Sequence, residues 1–425
     1  MAEFFSNFLF MFSVAGDVWY IVLPPILYFL FMLLWMDHVN AKFASKWEWV
    51  LLEIIPPREV EKSPHPMELI FSGFAGVIKT PSTVEEFVGG EIPTSFSLEL
   101  VSIEGQVHFY IRTLKGFRNL VEAHFYAQYP DVEIVEAPDY VTLVPRSVPN
   151  NEWDLWGVEF KLLKDDLYPI RTYKFFEESV TGKMLDPLAG LIETMGKIGP
   201  GQHLWLQLIV TPQKEDWGSK TGQATIEAFL GHEEVESPGI FARLWHDFAE
   251  VFSNLFTALM AKEIEWTALG EAPAKDEAPV EFRLTPGQKD VLKALESNIG
   301  KPMFKIKMRH MYVGRREGFS KQTGVSAFIG GIKQFNDLNL NSMVPDDLTK
   351  TYANYLWVEP RTRYRQRKLF RRYISRDTDD QTNRFMLSSE ELATLFHIPD
   401  MTVMAPSLTR VVATRGGAPA NLPVL

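Results

Sequence analysis

The sequence predicts an α+β protein: one apolar N-terminal transmembrane helix, then tandem ferredoxin-like α/β sandwich units and an extended C-terminal tail. Three observations predict it. Residues 18–36 read VWYIVLPPILYFLFMLLWM, nineteen positions without a charge, while the 389 residues after them have a globular make-up. Two later stretches place short alternating apolar segments around an amphipathic helix. From residue 359 on, the chain turns basic, then polar, then rich in Pro and Gly.

The apolar run comes first. At about 1.5 Å per residue it matches the roughly 30 Å hydrocarbon core of a bilayer. Trp19 and Tyr20 stand at one end and Trp35 at the other, as amphipathic rings do at the two interfaces. A cleaved signal peptide needs a basic leader, and the first basic residue is Lys42. Pro24 and Pro25 remove two backbone donors, so the helix either kinks or begins there. The same pair makes the run suited to packing among other helices, with a second copy of the chain as one candidate partner. No basic residue precedes the run, whereas Lys42, Lys46, Arg58 and Lys62 follow it. By the positive-inside rule the N-terminus lies outside and the body in the cytoplasm. The short FFSNFLFMF before the run reads as interfacial or as part of a packed helix. KWEWVLLEII (residues 46–55) reads as an amphipathic stretch along the inner surface.

Proline pairs and composition shifts then divide the chain. Residues 1–62 read as the anchor with its juxtamembrane helix, 63–150 as a first α+β domain, and 151–358 as a second with a helical insertion near 238–263. Residues 359–425 read as a basic segment and docking tail. In the first domain, 67–78 is an apolar helix, SFSLELVSI and VHFYIRT alternate as two strands about a Glu104-Gly105 turn, 116–129 has helical spacing, and 131–137 is a third strand. In the second, 156–163 and 170–175 read as strands. A helix over 186–198 begins with Pro187 at its first position, and 203–211 is a strong strand. The order strand, strand, helix, strand thus occurs twice. Within the insertion, residues 240–259 put Phe241, Leu244, Trp245, Phe248 and Phe252 on one face, suiting a core, a membrane surface or a partner. Residues 267–286 read as a loop, 303–313 as a strand and 325–335 as a helix.

Composition excludes several chemistries. With no cysteine there is no disulfide, thiolate metal site or cysteine nucleophile. No GxxxxGK[ST] loop, GxSxG elbow or HExxH pair occurs; residues 181–184 (TGKM) lack the upstream Gly and the following hydroxyl. The histidines show no ligand spacing, and His232-Glu233-Glu234 reads as a solvated turn. Asp346-Asp347 and Asp379-Asp380 read as caps or exposed pairs rather than cation sites. No cofactor and no catalytic residue is expected.

One patch stands out. The net charge is −11, yet residues 361–376 (RTRYRQRKLFRRYISR) carry eight of the 43 Lys and Arg and no acid, which leaves the rest of the chain at −19. Arg361, Arg363, Arg365, Arg367, Lys368, Arg371, Arg372 and Arg376, with Tyr364, Phe370 and Tyr373 among them, suit DNA phosphates and bases, anionic lipid or an acidic partner face. The plainer alternative is a solvated helix whose arginines pair with acids of the body.

The last part of the chain resembles a known family. FMLSSEELATLFHIP (residues 385–399) and APSLTRVVATRGGAPANLP (405–423) are similar to segments of bacterial type IV secretion and conjugative DNA-transfer proteins. In those proteins such segments precede a HerA/FtsK-like ATPase domain. SFSLELVSIEGQVHFYIRT, VEAHFYAQYPDVEIVEAPDY and DPLAGLIETMGKIGPGQHLWLQLIVTP also look like the family's N-terminal region, so the resemblance covers residues 67–425. It implies the membrane-proximal, non-catalytic part of such a machine, at the bacterial inner membrane, with the ATPase acting in trans because no ATPase domain follows the NLP segment. Glu390, Glu391, Leu392, Leu395, Phe396 and Pro423 are the expected docking residues.

Overall fold

A computed structural model describes residues 2–57, 63–79, 81–176, 185–214, 222–223, 225–227, 284–378, 382–400 and 408; for 2–19, 21 and 22 it describes the backbone alone. The expected insertion helix, the 267–283 loop, Thr181–Met184, His232–Glu234, Asp379-Asp380, Arg58, Lys62 and Pro423 lie outside the described residues.

The N-terminal helix α1 (Ala2–Ala44) runs unbroken through Pro24 and Pro25. The FFSNFLFMF stretch is therefore part of the same helix. Within α1, Leu23–Ala44 is long and apolar enough to cross a membrane, and the body leaves almost all of it uncovered.

The chain then enters the sheet at once. KWEWVLLEII does not form a surface helix: Trp49–Ile55 is strand β1. Both of its faces are covered, with Leu51 in one core and Val50, Leu52 and Ile54 in the other. Alternate burial on two faces is what a strand provides and a surface helix does not. After β1 come α2 (His65–Ala75), α3 (Thr83–Phe87), β2 (Phe96–Ile103), β3 (Gln106–Leu114), α4 (Arg118–Gln128) and β4 (Glu133–Glu136). Glu104 and Gly105 make the β2–β3 turn, both with positive φ, the conformation that matches strand twist in a two-residue hairpin. A second series follows: β5 (Trp153–Leu162), α5 (Ala189–Gly196), β6 (Gln202–Pro212), α6 (Pro286–Ile299), β7 (Met303–Arg315), α7 (Phe328–Ile332, after a π turn at Gln322–Ala327) and β8 (Met343–Pro345). The chain closes with α8 (Val358–Ser375), β9 (Phe385–Ser388) and α9 (Ser389–Leu395).

All the ladder pairings are antiparallel and join into one sheet, in the order β4-β1-β3-β2-β6-β7-β5-β8, with β9 on β7. Strand, helix, strand, strand, helix, strand occurs twice if α6, which stands between β6 and β7, is set aside, and each set of four strands lies in space as fourth, first, third, second. The sets meet edge to edge at β2 and β6. The sequence predicts a different order: strand, strand, helix, strand. Its expected strand at 170–175 is irregular backbone leading into a 3-10 turn at Tyr173–Phe176. The donors a neighbouring strand would bind are taken by side chains of α9: Ile170 N–H donates to Glu391 at 2.8 Å and Tyr173 N–H to Thr394 Oγ1 at 2.9 Å. Pro187 precedes α5 rather than opening it.

Helices α2, α4, α5, α7 and α9 cover one face of the sheet around Phe71, Leu98, Phe125, Leu206 and Phe328. Helix α8 covers the other, over Val101, Leu155, Trp205 and Met311. His203 lies on that second face, stacked on Trp153 with centroids 5.8 Å apart, and burial pushes its pKa down to about 4. A histidine held neutral in the fold and titrating at 6.5 when unfolded contributes stability above pH 6.5 that is lost as pH falls toward 4. From this group alone, stability at pH 7 should exceed that at pH 5 by about 2 kcal/mol in denaturant melts, and H203Q should remove that share of the pH dependence.

Candidate functional site

Helix α8 carries the basic run, and its seat explains its position. Strand side chains alternate between faces, so one residue from each central strand points at α8. Those residues are polar and in register: Glu99 on β2 pairs with Gln207 on β6, Gln207 with Arg309 on β7, and Arg309 with Glu159 on β5. All four are fully buried. Gln207 Nε2 donates to Glu99 at 3.1 Å and Arg309 Nε to Glu159 at 3.0 Å.

This polar row holds the C-terminal end of α8. Its last carbonyls have no partners within the helix. Arg309 donates to the carbonyls of Arg372 (3.2 Å) and Asp377 (2.6 Å), and Gln207 to that of Tyr373 (3.2 Å). Arg376 ends the helix in a left-handed conformation. Its guanidinium contacts both oxygens of Glu99 (3.0 and 3.1 Å) and both of Asp139 (2.6 and 2.9 Å). Burial works against the charge of Arg376, but Glu99 and Asp139 outweigh it and raise the pKa. Tyr373 reaches Tyr140 through a 2.8 Å contact between hydroxyls.

The basic run therefore divides. Arg376 is structural, not a surface cation, because it is itself buried, between the buried Glu99 and the half-exposed Asp139. Arg365 donates to the carbonyls of Lys350 and Tyr352, and Arg361 to those of Asn354 and Leu356, so both fasten the preceding loop to α8. Arg372 lies 3.9 Å from Asp377. Arg363, Arg367, Lys368 and Arg371 are exposed, Arg363 with Glu359 at 3.7 Å. Phe370 is buried and Tyr364 exposed.

The loop that Arg361 and Arg365 fasten was not anticipated. After β8, Asp346 N–H donates to the Glu159 carbonyl and Thr351 N–H to that of Gly157, so the chain follows β5 toward its start. There it exposes Tyr352, Tyr355, Leu356 and Trp357, the last three at 86%, 82% and 81%. Tyr355 and Trp357 both have positive φ, 68° and 53°, a conformation that costs a non-glycine residue roughly 1–2 kcal/mol. Leu348, on the same loop, is also bare at 82%. A groove of about 430 Å³ opens beside it, lined by Leu348, Arg361, Tyr364, Arg365 and Lys368. Register places this patch at the opposite end of the sheet from α1, since β1 begins at Trp49 beside Leu114 and β5 begins at Trp153 beside Arg315. The sequence signal was the YANYLWVEP segment (352–360), whose aromatics have no strand or helix period.

The expected docking residues of α9 are corrected. Glu390, Glu391, Leu392, Leu395 and Phe396 are buried in this chain's own core. Ser388 caps α9 with Glu391 in a reciprocal capping box. Glu391 also binds the Ile170 amide, and burial pushes its pKa up to about 7. Glu390 pairs with Lys174 at 2.6 Å and with Lys301. A helix that satisfies its neighbours' backbone and fills a core offers no face to another protein. Beyond it, Leu408 is buried and bridges in parallel to Val107.

Among the described residues no group of three His, Asp or Glu side chains could hold a metal ion. Asp346 is buried, bonded to Lys161 (3.1 Å) and Asn383 (3.0 Å).

No curated protein matches the chain. A family model described as a domain of unknown function (DUF8128) matches residues 42–410, from the last turn of α1 through the polar row, α8 and α9. That range takes in most of the sequence, and the protein therefore belongs to the DUF8128 family.

Proposed function

We propose that this protein is a membrane-anchored scaffold that docks a HerA/FtsK-like motor ATPase in a type IV secretion-like or conjugative DNA-transfer apparatus. In this reading α1 crosses the bacterial inner membrane with its N-terminus outside, and the body works in the cytoplasm. The two strand–helix sets are tandem ferredoxin-like units fused through β2 and β6. The ATPase acts in trans and the scaffold does no catalysis of its own.

The observation that carries the reading is the exposed patch of Leu348, Tyr355, Leu356 and Trp357 beside Arg361, Tyr364 and Lys368. Trp, Tyr and Arg are the residues that dominate protein–protein binding energy. Monomeric proteins seldom leave such residues contiguous and bare. The resemblance of residues 67–425 to proteins that carry such an ATPase supplies its identity. Nucleic acid is the second reading, favoured by Tyr364 beside the exposed cations Arg367 and Lys368. Exposed leucines in the patch favour a protein, since bases and phosphates make little use of them.

Charge reversal separates the two. R363E, R367E, K368E and R371E change only exposed residues, so the fold should stand. The unaltered full chain in detergent should retain a HerA/FtsK-like ATPase from its own cells and the quadruple variant should lose it. Neither should retain a labelled DNA oligonucleotide at about 50 mM salt, where phosphate contacts are strong. DNA retention that the variant abolishes, with no ATPase bound, would replace the scaffold reading by the nucleic-acid one.

A further inference from the structure

A second exposed apolar cluster lies beside the anchor. On α3 and its helical C-cap, Val84, Phe87 and Val88 stand at spacings of three and four and share one face; they are 69%, 39% and 66% exposed. The segment is fixed against α1. Trp35 Nε1 donates to the Phe87 carbonyl at 2.8 Å. Gly90, at φ +67°, lets the backbone approach so closely that a Cβ there would stand 2.3 Å from the Val39 carbonyl oxygen. Nearby charges are compensated: Lys79 binds Glu85 at 3.1 Å and Glu91 at 2.7 Å. Glu86 is exposed, two positions from Val84 and off the shared face.

These contacts set a depth. Trp35 and Val39 belong to the segment long and apolar enough to cross a membrane. If the hydrocarbon core ends near Trp35, Phe87 is level with that end; if it extends to Ala44, Phe87 lies inside it. Either way an apolar face at this level meets lipid rather than water.

We infer that α3 is a membrane-interface wedge, with Val84, Phe87 and Val88 inserted at the headgroup boundary of the bilayer beside α1. The inference rests on the reading that α1 crosses a membrane. The wedge sets the body's height and tilt, as interfacial side chains do for membrane segments.

The chain has no cysteine, so single-cysteine variants each carry one label. The full chain bearing V84C, V88C, L30C or L356C is labelled with an environment-sensitive fluorophore and reconstituted in phosphatidylcholine–phosphatidylglycerol vesicles containing shallow- or deep-brominated lipid. Labels at 84 and 88 should be quenched at least about twofold by shallow-brominated lipid, the label at 30 by the deep lipid, and the label at 356 by neither. If 30 is quenched while 84 and 88 behave like 356, the wedge is wrong and the anchor stands. If 30 is not quenched, the crossing and the wedge fall together. Quenching at 84 and 88 in vesicles, but with equal protection in lipid-free detergent at high protein concentration and none on dilution, would assign the face to a second copy instead.

Discussion

Replacing Arg376 with Met is expected to destabilise the protein by about 3–5 kcal/mol, the usual result of stripping one partner from a buried ion pair. Glu99 is fully buried and accepts from Arg376, Gln207 and Ser97, so without the guanidinium its charge is left with two neutral donors, an amide and a hydroxyl. The effect should be local in origin. Arg376 is the clamp at the end of α8, so amide hydrogen exchange should accelerate first over residues 358–375, before the sheet. Pairing R376M with E99Q should recover most of the loss, because the remaining side chains no longer carry an uncompensated buried charge. Equilibrium denaturation of the single and double variants checks this. A single variant that unfolds at the wild-type midpoint would show that α8 is not held by the polar row.

The second expected result runs the opposite way. Trp357→Gly should leave stability unchanged or raise it by up to about 1 kcal/mol, because glycine adopts positive φ without the cost a side chain incurs there. The ring removed is 81% exposed, so little packing is lost. Binding of the ATPase should nonetheless weaken tenfold or more, the signature of a hot-spot aromatic. Stability and binding moving apart would show that the strained conformation at Trp357 serves recognition, since such strain persists where function requires it. Tyr355→Gly should behave alike. Melts and binding isotherms on the same preparations decide it.

Much of this fold was legible in the sequence, for reasons that can be named. The strands β2, β3, β6 and β7 alternate cleanly, and Glu104-Gly105 marks a hairpin turn. What escaped notice were features defined only across strands. β1 follows so soon after α1 that its apolar residues read as a surface helix. The stretch at 170–175 has strand composition, but its donors are claimed by Glu391 and Thr394, more than two hundred positions away. Glu99, Gln207, Arg309 and Glu159 each interrupt an apolar strand. That interruption was visible, yet only the register shows the four as one row.

The site was legible in outline. The charge density of residues 361–376 pointed to α8, whereas the division of its cations into exposed and structural ones depends on Glu99 and Asp139, both remote in sequence. The α9 residues were misread because an acidic, capped amphipathic helix looks the same whether its apolar side faces another chain or its own. The aromatic patch at 352–357 has no periodicity and gave no reading at all.

The central claim is that the patch beside α8 is where the ATPase docks. Its most direct test is a photo-crosslinking amino acid at position 357 of the full chain, activated in intact cell membranes. The account predicts a covalent adduct with the HerA/FtsK-like ATPase, lost when the four exposed cations of α8 are reversed. An adduct with DNA, or none while a crosslinker on the opposite face at Tyr126 of α4 captures the ATPase, would contradict it.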